Sequence, residues 1–120
     1  MSGGKRITLW TISILLACLF LFSGAFKLLI PEKVRPGFVQ YGYAPWFATV
    51  IGIGEVLGAI GLLVPPVALL ACTGLSVIMI GAFFTHVTHH EFSHATVPLL
   101  LLFILIAVAY GRQSDRQRLH

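Results

Sequence analysis

The chain has 120 residues, 58% hydrophobic and 10% charged, with a mean hydropathy of +0.94 and a formal net charge of +4. A globule this small leaves much of its surface exposed and cannot hide so much apolar material from water, so its solvent must be lipid. The Lys and Arg residues sit near the ends of apolar runs, as charges that orient membrane helices do; no clustered basic face exists, and nucleic acid is excluded as a partner.

A helix that crosses the hydrocarbon core needs about 20 apolar residues. Four segments reach or approach that length: 7–30, stopped by Pro31; 45–64, stopped by Pro65-Pro66; 66–87; and 95–110, stopped by Gly111-Arg112. A polar tail occupies 111–120. The predicted fold is therefore all-α, a four-transmembrane-helix antiparallel bundle that makes residues 1–120 a single membrane domain. Lys5-Arg6, an apolar stretch and Ser23-Gly24-Ala25 together imitate a cleavable signal peptide. The stretch is too long for one, and cleavage would leave an odd number of spans.

The first connection, Pro31 to Ala44, carries Phe38, Tyr41 and Tyr43, with Trp46 just beyond. It is predicted to lie along the membrane interface as a short amphipathic segment, the depth that aromatic rings favour. The Pro-Pro turn is so short that the second and third spans must be antiparallel neighbours. The third connection, Thr88 to His94, is rich in histidine.

Positive charge sets the orientation. With both termini in the cytoplasm, that side receives Lys5, Arg6, Arg112, Arg116 and Arg118, against Lys27, Lys33 and Arg35 outside. Both termini are therefore placed in the cytoplasm. Cys18 and Cys72 lie inside apolar runs without a CxxC pair and are read as small core residues with free thiols. Gly52, Gly54, Gly58, Ala59 and Gly61 give the second span a stripe of small residues, which in lipid lets backbones approach closely. An interior packing face is preferred to a homodimer seam, and a homo-oligomer stays open.

Glu55 is the most informative residue. It stands ten residues after Pro45, about 15 Å into the second span at 1.5 Å per residue, near the expected midplane. A carboxylate there must face the bundle interior and find a partner or a proton. Lys27 and His86 arrive near the outer ends of the first and third spans, and Gln40, Tyr41, Tyr43 and Trp46 could close the top. The expected site is a funnel open to the outside, with Glu55 at its floor, Lys27 and His86 as further catalytic candidates, and the aromatic residues and Gln40 as ligand contacts.

The stretch from His86 to His94 imitates two metal patterns. His90-Glu91-Phe92-Ser93-His94 spells HExxH, and His86, His89 and His90 spell HxxHH. Both fall on a turn between spans, whereas HExxH needs a continuous helix. His86, His89, His90 and His94 are thus weak candidates, and no obligatory metal is expected.

Together these residues resemble the DoxX and DoxX-like family of small four-helix membrane proteins. The matching blocks are Ser23-Gly24 with Lys27; Phe38 with Tyr41-Gly42-Tyr43; Ile51-Gly52 with Glu55-Val56, Gly58-Ala59-Ile60-Gly61-Leu62-Leu63 and Pro65; Met79 with Gly81-Ala82 and Thr85-His86; and Pro98 to Gly111-Arg112. The resemblance implies a bacterial inner-membrane protein, in some relatives a membrane subunit of thiosulfate:quinone oxidoreductases, in others a member of redox-stress complexes. It also implies a fold similar to that of membrane proteins that bind sterol-like ligands, some of them isomerases. The family's proline directly after Gly-Tyr is displaced here to Pro45, and the histidine-rich turn lies outside its pattern.

The first functional expectation is a pocket for a small lipophilic, quinone-like molecule in an accessory or subunit of a membrane redox system. No haem-ligand pair, dithiol or flavin motif appears, so electrons would reside on a bound quinone or on a soluble or membrane redox partner. The second is an enzyme using Glu55 as general acid or base for isomerisation, cyclisation or epoxide opening. The third is a structural or assembly factor.

Overall fold

Small polar residues, prolines and glycines set the helix ends. In the computed structural model, which describes residues 2–118, α1 spans Gly3–Leu29. It starts before the predicted Ile7 because Ser2 caps it, its hydroxyl accepting from the Lys5 amide at 3.2 Å. Pro31 then opens α2 (Pro31–Gln40), the predicted interfacial segment, and Pro45 opens α3 (Pro45–Leu62). Proline suits a first helical turn, where no intrahelical partner awaits its missing N–H. A 3₁₀ turn at Pro65–Val67 leads into α4 (Ala68–Thr88), and α5 runs from Phe92 to Arg118.

Helix α1 packs along α3 and α4 along α5, and the two pairs join across α3 and α4, while α1 and α5 touch only sparsely. Glycines decide how closely the helices meet. A Cβ on Gly24 would stand 2.7 Å from the Gly52 carbonyl oxygen, so α1 and α3 cross backbone to backbone. On the other side of α3, Gly58 seats Leu75 and Gly61 seats Ala71, with Ile78 against Gly54. The Gly54/Gly58 pair thus serves packing inside the chain, as expected of a lipid-embedded interface. The core is apolar, built on Phe20, Leu62, Leu75, Leu105 and Val108.

The outer surface is apolar too. Phe22 is 74% exposed and Leu70 73%. Water would make such a surface associate, whereas hydrocarbon tolerates it. Four helical segments, Gly3–Leu29, Pro45–Leu62, Pro65–Thr88 and Phe92–Ser114, are long and apolar enough to cross a bilayer. A helix pairs its backbone polar groups within the segment, as hydrocarbon requires.

Two expectations change. The segment expected as a polar tail from residue 111 continues α5 as far as Arg118, residues 119–120 lying outside the described ones, and Arg112 turns inward to 7% exposure. Its Nη2 donates to Ser13 Oγ at 3.0 Å and to the Leu62 carbonyl at 3.3 Å, and its guanidinium lies 4.0 Å from the Trp10 ring centroid. The Leu62 carbonyl belongs to the C-terminal turn of α3, where unpaired carbonyls concentrate partial negative charge and favour a cation. Arg112 therefore ties α5 to α1 and α3. Cys18, expected in the core, instead faces outward, while Cys72 is buried; both are free thiols.

Candidate functional site

Glu55 is 3% exposed on the face of α3 that meets α1. Gly52, one turn earlier, makes room there: a Cβ on it would stand 3.0 Å from the Cβ of Lys27. From that level the lysine stem reaches back along the interface and sets Nζ 2.8 Å from Glu55 Oε1. The separation expected between the two residues is closed by side-chain reach. Ser23, one turn before Lys27 on α1, completes the cluster. Its hydroxyl accepts from Lys27 Nζ at 2.8 Å and lies 3.2 and 3.1 Å from the two Glu55 oxygens, to which it donates. An ammonium has three N–H bonds, and these contacts account for two.

A second polar group forms where the α2–α3 connection meets the α4–α5 turn. Tyr41 donates to Glu91 Oε1 at 2.5 Å, and His86 Nδ1 lies 2.9 Å from the same oxygen. The Tyr41 hydrogen bond, with that of His86 behind it, holds the Glu91 carboxyl below its ordinary range. Reciprocally, the Glu91 bond pushes the Tyr41 phenol up. A carboxylate only accepts, so Nδ1 of His86 carries the proton and Nε2 is left as an acceptor when the ring is neutral. Tyr43 pairs with Thr85 at 2.6 Å. Thr85 spends its own hydrogen on the Gly81 carbonyl at 2.8 Å, so Tyr43 is the donor.

The α4–α5 turn also explains why HExxH is not a helix here. His90 sits at φ 59°, donating to the Val87 carbonyl, and the Glu91 amide donates to the His86 carbonyl at 2.8 Å. This is a Schellman ending, with His90 in the left-handed position that glycine favours. It places His90 and His94 on different elements, and among the described residues no group of three or more His, Cys, Asp or Glu could hold a metal ion. Replacing His90 with Gly is expected to raise stability by about 0.5–1 kcal/mol, since αL is costly for a residue with a Cβ. A higher thermal midpoint in detergent micelles would show it, and a lower one would mean that the imidazole contributes more than the strain costs.

Ser23, Lys27 and Glu55 of the first group and Tyr41, Tyr43, Thr85 and His86 of the second line one cavity of about 620 Å³, to which all five helices contribute; Glu91 stands outside its lining. Its walls are chiefly apolar, with Phe38, Phe47, Ile51, Ile78, Met79 and Leu101 among them. Of the residues expected at the site, Glu55, Lys27, His86, Tyr41 and Tyr43 line it. Gln40 and Trp46 do not; Gln40 is exposed at the end of α2, and Trp46, 64% exposed, lies edge-on to Phe47. His89, His90 and His94 are exposed outside the lining. Ser23, Thr85 and the pairing of Glu91 with Tyr41 were not anticipated. The spacing of Ser23 and Lys27, i and i+4 on one helix face, is the signal that could have exposed the first.

The sequence model of the DoxX-like family matches residues 11–108. The chain belongs to the DoxX-like family. That match takes in every residue that lines the cavity. No curated protein and no solved structure matches the chain. Family and helices together make this DoxX-like chain a multi-pass membrane protein in contact with the lipid bilayer.

Proposed function

We propose that this DoxX-like protein binds a small lipophilic molecule carrying an oxygen function, quinone-like in chemistry, and serves a membrane redox system as an accessory or subunit. The supporting observation is that the Lys27–Ser23–Glu55 cluster borders a roomy apolar cavity. Ion pairs buried in dry interfaces seldom repay their desolvation, and pockets of about 300–1,000 Å³ with few, well-placed polar groups are typical ligand sites. A ligand oxygen would accept from the remaining N–H of Lys27. The redox role rests on the resemblance to redox-associated relatives, and the charge bias of the termini supports a cavity mouth on the outer side. A second reading, Glu55 as acid or base on a lipophilic substrate, draws on the same cluster, in which Ser23 connects ammonium to carboxylate.

The test is extraction of protein purified in mild detergent, followed by mass spectrometry of the lipophilic fraction. Wild type should yield a near-stoichiometric lipophile, and Glu55→Gln at least tenfold less while retaining its helical circular dichroism. Equal recovery from both proteins would sink the reading.

A further inference from the structure

We propose that the cavity takes an elongated ligand of two or more rings with an oxygen function at each end, the inner one an acceptor and the outer one a hydroxyl donor. This rests on the cavity reading above and adds the shape and polarity of what fills it.

The packing register supplies the length. Ile78 of α4 packs against the position of Gly54, and Gly58 against Leu75, so Glu55 lies nearly level with Ile78. His86 is eight residues further along α4, about 12 Å at 1.5 Å per residue. The inner cluster of Ser23, Lys27 and Glu55 and the outer pair of Tyr41 and His86, held from outside the lining by Glu91, thus stand at two levels of one cavity. Apolar side chains separate them. A single ring reaches one cluster only and forgoes the hydrogen bonds of the other. A two-ring body reaches both.

The hydrogen bonds supply the polarity. At the inner end Lys27 has an N–H to give, so the ligand atom there accepts. At the outer end Tyr41 has spent its hydrogen on Glu91 and His86 has turned Nδ1–H toward the same carboxylate. With the ring neutral, what these two lining residues have left to offer is acceptor capacity, at His86 Nε2 and at the Tyr41 oxygen. A hydroxyl satisfies it, and an ether or carbonyl does not.

The probes are 4,4′-biphenol, 4-phenylphenol and biphenyl, titrated by fluorescence into the full-length protein in micelles. Biphenol should bind at least tenfold more tightly than 4-phenylphenol, because its second hydroxyl meets the outer cluster. His86→Phe should erase that advantage, and the ratio of the two phenols' affinities within each protein cancels differences in micelle partitioning. Glu91→Gln, which releases the His86 tautomer, should reduce the advantage at least threefold and serves if His86→Phe does not fold. Equal affinities in wild type, or equal losses of both phenols in the variant, would overturn the two-ended ligand while leaving a lipophilic pocket intact. Failure of all three probes to bind would remove the pocket reading and this proposal with it.

Discussion

Lys27→Met is expected to cost about 3–5 kcal/mol of stability, the usual consequence of leaving a buried charge without its partner. Glu55 is 3% exposed, and what surrounds it beyond Lys27 and Ser23 is chiefly apolar. Glu55→Gln should cost less, about 1–2 kcal/mol, because the amide keeps a hydrogen bond with Ser23 and the orphaned ammonium can swing toward the cavity. Lys27→Met with Glu55→Leu should recover most of the loss or exceed wild type, since a well-packed apolar pair removes both desolvation costs. Denaturant unfolding in micelles, read by tryptophan fluorescence, gives the three values. Were all three within 0.5 kcal/mol of wild type, the pair would not be buried as described. A stable but ligand-free double variant would instead indicate that the pair is retained for its work in the cavity.

Much of this architecture is legible in sequence because lipid leaves few options. A run as long as that from Ile7 to Ile30 has to cross the membrane as a helix, and Pro31, Pro45 and Pro65-Pro66 bound such runs. Glu55 stands out for the same reason: nothing in its neighbourhood excuses a carboxylate. Ser23 does not stand out, because a helical serine ordinarily bonds back to its own backbone, as Ser13 does to Leu9. Arg112 is hidden differently. At the end of an apolar run an arginine reads as an interfacial charge, and only the helix pairing brings Ser13 and Leu62 within its reach. Gln40 and Trp46 are the converse case. Proximity in sequence to Tyr41 and Tyr43 suggested a shared site, but the turn at Gly42, with φ 93°, sends the neighbouring residues to different surfaces.

The second large effect concerns the α1–α3 crossing. Gly24→Val is expected to cost about 3 kcal/mol or more and to abolish the inner polar cluster together with the packing. A Cβ on Gly24 would meet the Gly52 carbonyl oxygen at 2.7 Å, the Val56 Cγ2 at 2.7 Å and the Val56 amide nitrogen at 3.0 Å. Two of these are backbone atoms of a helix, which cannot yield as a side-chain tip can, so the helices must part. Ser23 and Lys27 flank Gly24 on α1, and a shift of even 1 Å there stretches hydrogen bonds of 2.8–3.2 Å beyond useful length. Gly52→Ala should be milder, since it adds one methyl whose nearest contacts, Lys27 Cβ at 3.0 Å and the Gly24 carbonyl oxygen at 3.1 Å, are less close than the 2.7 Å met at Gly24. Gly74→Ala has nothing within 4 Å and should be neutral or stabilising by up to about 1 kcal/mol through helix propensity. The rank order Gly24, Gly52, Gly74 is thus set by what each new methyl would strike. Thermal midpoints in micelles that placed Gly24→Val beside Gly74→Ala would show that α1 and α3 do not cross at this distance, and the geometry assigned to Lys27, Ser23 and Glu55 would go with it.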